Sequence, residues 1–182
     1  MFNKTQQAHE LQDKEDERES VEEAHLQLVT FGVGTEEFAV NILQVQEINR
    51  MMIITQVPES PECVEGVINL RGRIIPVVDL RKRFAMALKE YAQSSRIIVV
   101  EVDHLVLGFI VDCVHEVLRI DRKIVETTPS ITSTSKDSTY IQGIGKLEDR
   151  LLILLNLSRL FDMQDLRAIH AVAKNKNNIK AA

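Results

Sequence analysis

Val64-Glu-Gly-Val-Ile-Asn-Leu-Arg-Gly-Arg-Ile-Ile-Pro-Val-Val-Asp-Leu-Arg-Lys-Arg-Phe84 is the stretch on which the reading of the chain turns. An apolar run reaches Leu70-Arg-Gly-Arg73. A second run, Ile74 to Val78, leads into Asp79 and a short basic segment. Two strand-like runs joined by a connection containing glycine make a β-hairpin, and Gly72 takes a positive φ there without steric cost. The arm Ile74 to Val78 is apolar on both faces, which places it inside a sheet. Pro76 pulls the other way, because it lacks a ladder donor and favours an edge or a bulge. Asp79 suits the N-cap of a short helix over Leu80 to Phe84. Arg71 and Arg73 flank the glycine, where side chains point outward. They read as two solvated turn arginines or as a recognition surface on a rigid hairpin, and residue type and spacing alone favour the solvated pair.

Working outward, composition sets the limits. The 182 residues suffice for one domain with a sizeable core or for two small ones. Trp is absent and aromatics make up 4%, so the core rests on Ile, Leu and Val, which favours strands. No apolar run approaches the ~18 residues of a membrane span, and the N-terminus lacks a basic-apolar-small leader pattern. A soluble cytoplasmic protein without membrane insertion is expected. The two cysteines, Cys63 and Cys113, form no CxxC pair and read as half-buried thiols rather than a disulfide. Residues 1–25 carry eight acidic and three basic side chains, a balance of 3 − 8 = −5, whereas residues 167–182 carry four basic and no acidic ones. Nothing resembles the broad basic field of a nucleic-acid binder.

Residues 1–24 are too polar to offset their ordering entropy and read as a flexible acidic tail or a frayed helix. Order begins with Leu26 to Phe31, turns through Gly32 to Glu37, and returns along Phe38 to Val40. Asn41 caps one helical turn, which runs into a strand from Val45 toward Met51 to Ile54, with Glu47 near a surface bend. Val57-Pro-Glu-Ser-Pro61 is a loop, and residues 85–93 form a connection that is helical in part. Ile97 to Val102, the tight turn Asp103-His104 and Leu105 to Val111 make a hairpin. Cys113 to Ile120 alternates and reads as its third antiparallel arm. Gly108 signals a bulge or a close backbone approach, and residues 124–139 read as a long connection. Tyr140 to Gly145 and Leu151 to Leu155 make a last hairpin, with turn or bulge chemistry at Gly143-x-Gly145. Asn156 caps a short helix to Phe161, and a terminal helix over Asp162 to Ala173 packs Leu166 and Ile169 ahead of a basic tail. Ile74 to Phe84 echoes Leu151 to Phe161: a buried strand, a capping Asp or Asn, and a short helix ending in Phe. The echo suggests two related β-units rather than one sheet, the alternative being chance similarity between apolar strands.

No reaction centre emerges. His104 sits at a turn, and Cys113 with His115 supplies two ligands without a third. There is no Gly-x-Ser-x-Gly elbow, GxGxxG loop or P-loop. Catalytic residues, metal and cofactor are therefore expected to be absent, and weight moves to a binding module.

Gly66-Val-Ile-Asn-Leu-Arg-Gly72 followed by Ile75-Pro-Val-Val-Asp-Leu80 resembles the CheW family of bacterial chemotaxis coupling proteins. Leu28-Val-Thr-Phe31, Ile42-Leu-Gln-Val-Gln-Glu-Ile48, Gly108-Phe-Ile-Val-Asp112, Gly143-Ile-Gly145 and Leu151-Leu-Ile-Leu-Leu-Asn-Leu157 support it in order. The match covers roughly residues 26–162. The resemblance implies a mainly β fold of two SH3-like five-stranded β-barrel subdomains over residues 25–163, sharing a hydrophobic interface, with residues 164–182 as a C-terminal helix and basic tail. It implies a non-enzymatic adaptor that binds chemoreceptor cytoplasmic tips and the regulatory domain of the histidine kinase CheA, recruited to membrane-associated receptor arrays. Carried over by motif, the receptor groove involves Val45, Glu47, Ile48, Arg71, Arg96 and Ile97, and kinase contact involves Gly66, Val67 and Asn69. Arg96 departs from the apolar residue common there. A form with an attached receiver domain would need residues that are absent after Phe161. Alternatives are an adaptor of a twitching or gliding pathway, and a small β-barrel sensor or enzyme.

Overall fold

The computed structural model describes residues 24–127 and 140–177. The acidic tail, most of the expected connection before Tyr140 and the end of the basic tail lie outside them. The strands are β1 (His25–Val33), β2 (Glu36–Asn41), β3 (Val45–Arg50), β4 (Val64–Leu70), β5 (Arg73–Asp79), β6 (Arg96–Val102), β7 (Leu105–Val111), β8 (Cys113–Asp121), β9 (Val125–Glu126), β10 (Ile141–Lys146) and β11 (Leu151–Leu155). Among the described residues two α-helices accompany them, α1 (Leu80–Arg83) and α2 (Met163–Asn177).

Two sheets result, ordered β8-β1-β2-β11-β10-β9 and β3-β6-β7-β5-β4. In each, one parallel contact joins two antiparallel groups: β11 beside β2, and β5 beside β7. The run β10-β11-β2-β1-β8 therefore matches β4-β5-β7-β6-β3 strand for strand. The two SH3-like barrels are one plan used twice. Barrel 2 (β3 to β7) is inserted between β2 and β8, so barrel 1 is its circular permutation.

Both sheets close the same way. Beyond β3 the chain returns at Thr55, whose N–H and carbonyl bond the carbonyl and N–H of Val67 on β4 at 2.8 and 2.9 Å. Beyond β8 a 3-10 turn, Arg122–Ile124, leads into β9, which pairs with β10. A glycine at a register shift admits each closing segment. Gly66 has φ +147° and a Cβ there would collide with the Thr55 carbonyl. A Cβ on Gly143 would come within 2.8 Å of the Glu126 carbonyl. The expected bulge near Gly143 is present, while residues 125–126 form a strand rather than part of a loop.

β5 is an interior strand despite Pro76. Ile75 and Val77 enter the cluster inside barrel 2, and Ile74 and Val78 join the core shared by both barrels. Pro76 stands opposite Val67, whose backbone groups are both spent on Thr55. A residue opposite a non-hydrogen-bonded position owes no N–H across that pair, so the missing donor leaves no gap toward β4. Asp79 caps α1 as expected, accepting from the Arg81 N–H at 2.7 Å. Asn156 occupies the matching position without a side-chain capping bond, so the expected cap is not formed. Residues 85–93 contain no helix, and β3 ends at Arg50 short of the expected Met51 to Ile54.

β8 is not the third arm of the β6–β7 hairpin. It leaves barrel 2 at Asp112 and pairs with β1 of barrel 1. Asp112 makes the crossing: its N–H donates to the Gly32 carbonyl at 2.9 Å, and its carboxylate accepts from the Gly34 N–H and from both Nε and Nη2 of Arg81. Burial pulls that carboxyl up, but the Arg81 and Gly34 bonds outweigh it and hold it below the ordinary aspartate range. Gly108 marks neither a bulge nor a backbone approach. It makes room for the Ile97 side chain, whose Cγ2 would lie 2.9 Å from a Cβ.

The shared core explains the internal echo. Phe84, after β5 of barrel 2, stacks on Phe38 of barrel 1 at 4.9 Å. Phe161, after β11 of barrel 1, packs on Phe109 of barrel 2 at 6.1 Å. Each barrel thus lends one ring to the other. Helix α2, capped by Asp162, adds Ile169 and Val172, with Leu166 packed at the edge.

Candidate protein-binding surface

β3 is the terminal strand of its sheet, so one of its backbone edges is not covered by a further strand of that sheet. Its side chains alternate, with Gln46, Ile48 and Arg50 exposed and Val45, Glu47 and Asn49 half-buried. A register shift between Val45 and Glu47 marks the start of the strand. Ile48 is 42% exposed on one face. Glu47 points to the other, where its Oε2 accepts from Nη2 of Arg71 at 3.1 Å. Glu47 lies within the strand, not at a bend, and the partner that sequence reasoning did not find for it is this arginine.

Arg71 and Gly72 form the two-residue loop between β4 and β5, both with positive φ (52° and 87°). That is the requirement of a type I′ hairpin turn. Asn69 closes the turn by accepting from the Gly72 N–H at 2.9 Å. The Arg71 side chain stays 80% exposed.

The other expected receptor residues are placed differently. Val45 packs against the shared core. Ile97 has no exposed surface, so it supports the strand from beneath and offers a partner nothing to touch. Arg96 stands opposite Arg50 at the far end of the β3–β6 ladder, its Nη1 turned onto the carbonyls of Gln93 and Ser95 at 2.8 Å. Of the expected kinase residues, Gly66 and Val67 are buried in the barrel closure and only Asn69 is at the surface. What sequence reasoning missed nearby is Ile53, 90% exposed beside the closing residue Thr55. The signal was an isoleucine with no periodic partner. Next to it an open cleft of about 320 Å³ is lined by Met51, Met52, Ile54, Gln56, Glu65 and Tyr91. Tyr91 donates its hydroxyl proton to buried Asp79 at 2.9 Å. Burial first, then that bond, raises the phenol well above the usual tyrosine range.

Barrel 1 repeats the pattern. Val114-His-Glu-Val-Leu-Arg119 on β8 matches Val45-Gln-Glu-Ile-Asn-Arg50 on β3, and Glu116 pairs with Arg150 from the β10–β11 turn at 2.7 Å. The copies differ in freedom. Arg150 also lies 3.2 Å from Glu37, a mostly buried carboxylate, whereas Arg71 has a single exposed tie. Arg150→Ala should therefore lower Tm in a thermal melt by stranding Glu37, while Arg71→Ala should leave Tm essentially unchanged.

Both cysteines are free thiols. Burial, with Asp165 nearby, pushes the Cys63 thiol up and away from reactivity. Cys113 Sγ lies 3.8 Å from His115 Nε2, and among the described residues no group of three or more His, Cys, Asp or Glu side chains could hold a metal ion. Among the described residues, no helix is long and apolar enough to cross a membrane.

A sequence model of the CheW-like domain matches residues 27–165. The chemotaxis protein CheW of Klebsiella aerogenes is 33% identical over 149 residues, covering 82% of this chain and 89% of that protein. CheW of Helicobacter pylori is 35% identical over 147 residues, covering 81% and 86%. The crystal structure of the scaffolding protein TtCheW from Thermoanaerobacter tengcongensis superimposes with a TM-score of 0.71 at 40% identity, covering 77% of this chain and 94% of that one.

Proposed function

Because the chain belongs to the CheW family, and is a chemotaxis coupling adaptor, we propose that it joins chemoreceptor cytoplasmic tips to the regulatory domain of the histidine kinase CheA without catalysing a reaction. The receptor tip is a helical hairpin laid along the β3 edge. Such a helix needs an apolar contact and a few charged anchors. Ile48 offers the first, and Arg71 the second. The observation that carries this reading is the exposed Arg71 guanidinium, held on a rigid two-residue turn by one bond to Glu47. The guanidinium already stands in solvent, so it can reach a receptor carboxylate without first being uncovered. The kinase contact falls on the barrel-closing segment, around Ile53 and Asn69 and the methionine-lined cleft beside them. Methionines adapt to irregular apolar surfaces, and an isoleucine exposed to this degree gains by being covered. Recruitment to membrane-associated arrays then follows from the receptor contact.

The test is isothermal titration with a purified chemoreceptor cytoplasmic fragment. Arg71→Ala should weaken binding by about 1–3 kcal/mol, roughly tenfold or more, with the fold intact. Unchanged affinity in a folded variant sinks the assignment of Arg71.

A further inference from the structure

Arg50 and Arg96 face each other across the β3–β6 ladder. Directly opposed residues project to the same face, and like charges so placed destabilise the pair. The repulsion is not relieved locally. Arg50 is exposed and its guanidinium engages no described residue. Arg96 uses only Nη1, on two carbonyls that brace it, and leaves Nε and Nη2 free to donate toward another group. Where a sequence breaks a local rule with no compensation inside the fold, a functional role is expected. Planar guanidinium forks are the side chains best suited to grip a carboxylate.

The same face carries exposed Ile48, the next outward residue on β3 beside that pair. Ile48 is two residues from Arg50, roughly 7 Å along the strand. On a helix rising about 1.5 Å per residue, that span separates positions i and i+4.

Resting on the reading of β3 as the receptor edge, we propose that Arg50 and Arg96 together form a carboxylate-binding site, which takes an Asp or Glu of the receptor helix lying one turn from the apolar residue that meets Ile48.

The experiment uses the full chain and a chemoreceptor cytoplasmic fragment, titrated at low and high salt. Arg50→Gln should weaken binding about tenfold at low salt, flatten its salt dependence, and leave Tm the same or higher, since a like-charge pair has been removed. Arg96→Gln, which also gives up the two carbonyl bonds, should lose affinity to a similar degree. Charge reversal at the acidic residue on the fragment should cancel the difference between the wild type and both variants. Equal affinity of wild type and Arg50→Gln at every salt concentration overturns the carboxylate site while leaving the receptor reading intact. A wild-type chain that ignores the fragment overturns the receptor reading and this site with it.

Discussion

Phe109→Ala loses about 3–5 kcal/mol of unfolding free energy, measured by urea denaturation. Phe109 is 1% exposed, lies on β7 of barrel 2, and packs against Phe161 of barrel 1. Its removal leaves a cavity where the barrels meet, and rigid strands on both sides keep the site from collapsing. Phe109→Leu refills most of that volume and should cost about 1 kcal/mol. Because the large core cluster takes residues from both barrels, both variants should unfold in one transition by circular dichroism and by a probe in either barrel. Two separated transitions would show that the barrels are independent units and that the shared core does not couple them.

Gly66→Ala is the second large effect, a loss of about 3 kcal/mol or more. Two penalties act together. A side chain at φ +147° is strained, which costs roughly 1–3 kcal/mol, and its Cβ collides with the Thr55 carbonyl at the point of barrel closure, with overpacking of about the same size. Backbone on the colliding side cannot rotate away as a flexible side chain would. Gly143→Ala meets the Glu126 carbonyl and Val125 in the corresponding place without the positive φ, so it should lose less. Equal stability of Gly66→Ala and the wild type in urea would mean that the Thr55–Val67 bridge is not needed to close barrel 2.

The duplicated plan was legible where local chemistry was strong. A glycine turn between two apolar arms identified β4 and β5, and apolar residues on both faces correctly placed β5 inside a sheet against the pull of Pro76. The echo between Ile74 to Phe84 and Leu151 to Phe161 reflected a repeated strand-to-helix exit that carries one ring into the opposite barrel. The partner of β8 was not legible. Alternation fixes that a segment is a strand and which face is buried, but not which neighbour it pairs with, and the change of sheet hangs on the single residue Asp112, which donates its N–H to Gly32 and accepts from Gly34 and Arg81. The surface was legible in part. Glu47 and Arg71 lie 24 positions apart, and no spacing rule connects them. The repeat of Val45-Gln-Glu-Ile-Asn-Arg50 as Val114-His-Glu-Val-Leu-Arg119 would have suggested that each edge-strand glutamate meets an arginine from its barrel's hairpin turn. Ile97 and Val67 were assigned by motif position, which carries no information about burial; both are core residues in the structure.

An adaptor must hold two partners at once, and reconstitution from three purified components tests this most directly. The chain, a chemoreceptor cytoplasmic fragment and the CheA regulatory domain are mixed and analysed by size-exclusion chromatography with light scattering. A single species containing all three, formed by the wild type and depleted of receptor fragment alone in Arg71→Ala, is the predicted result. Displacement of one partner by the other, or failure of the chain to retain either, would contradict it.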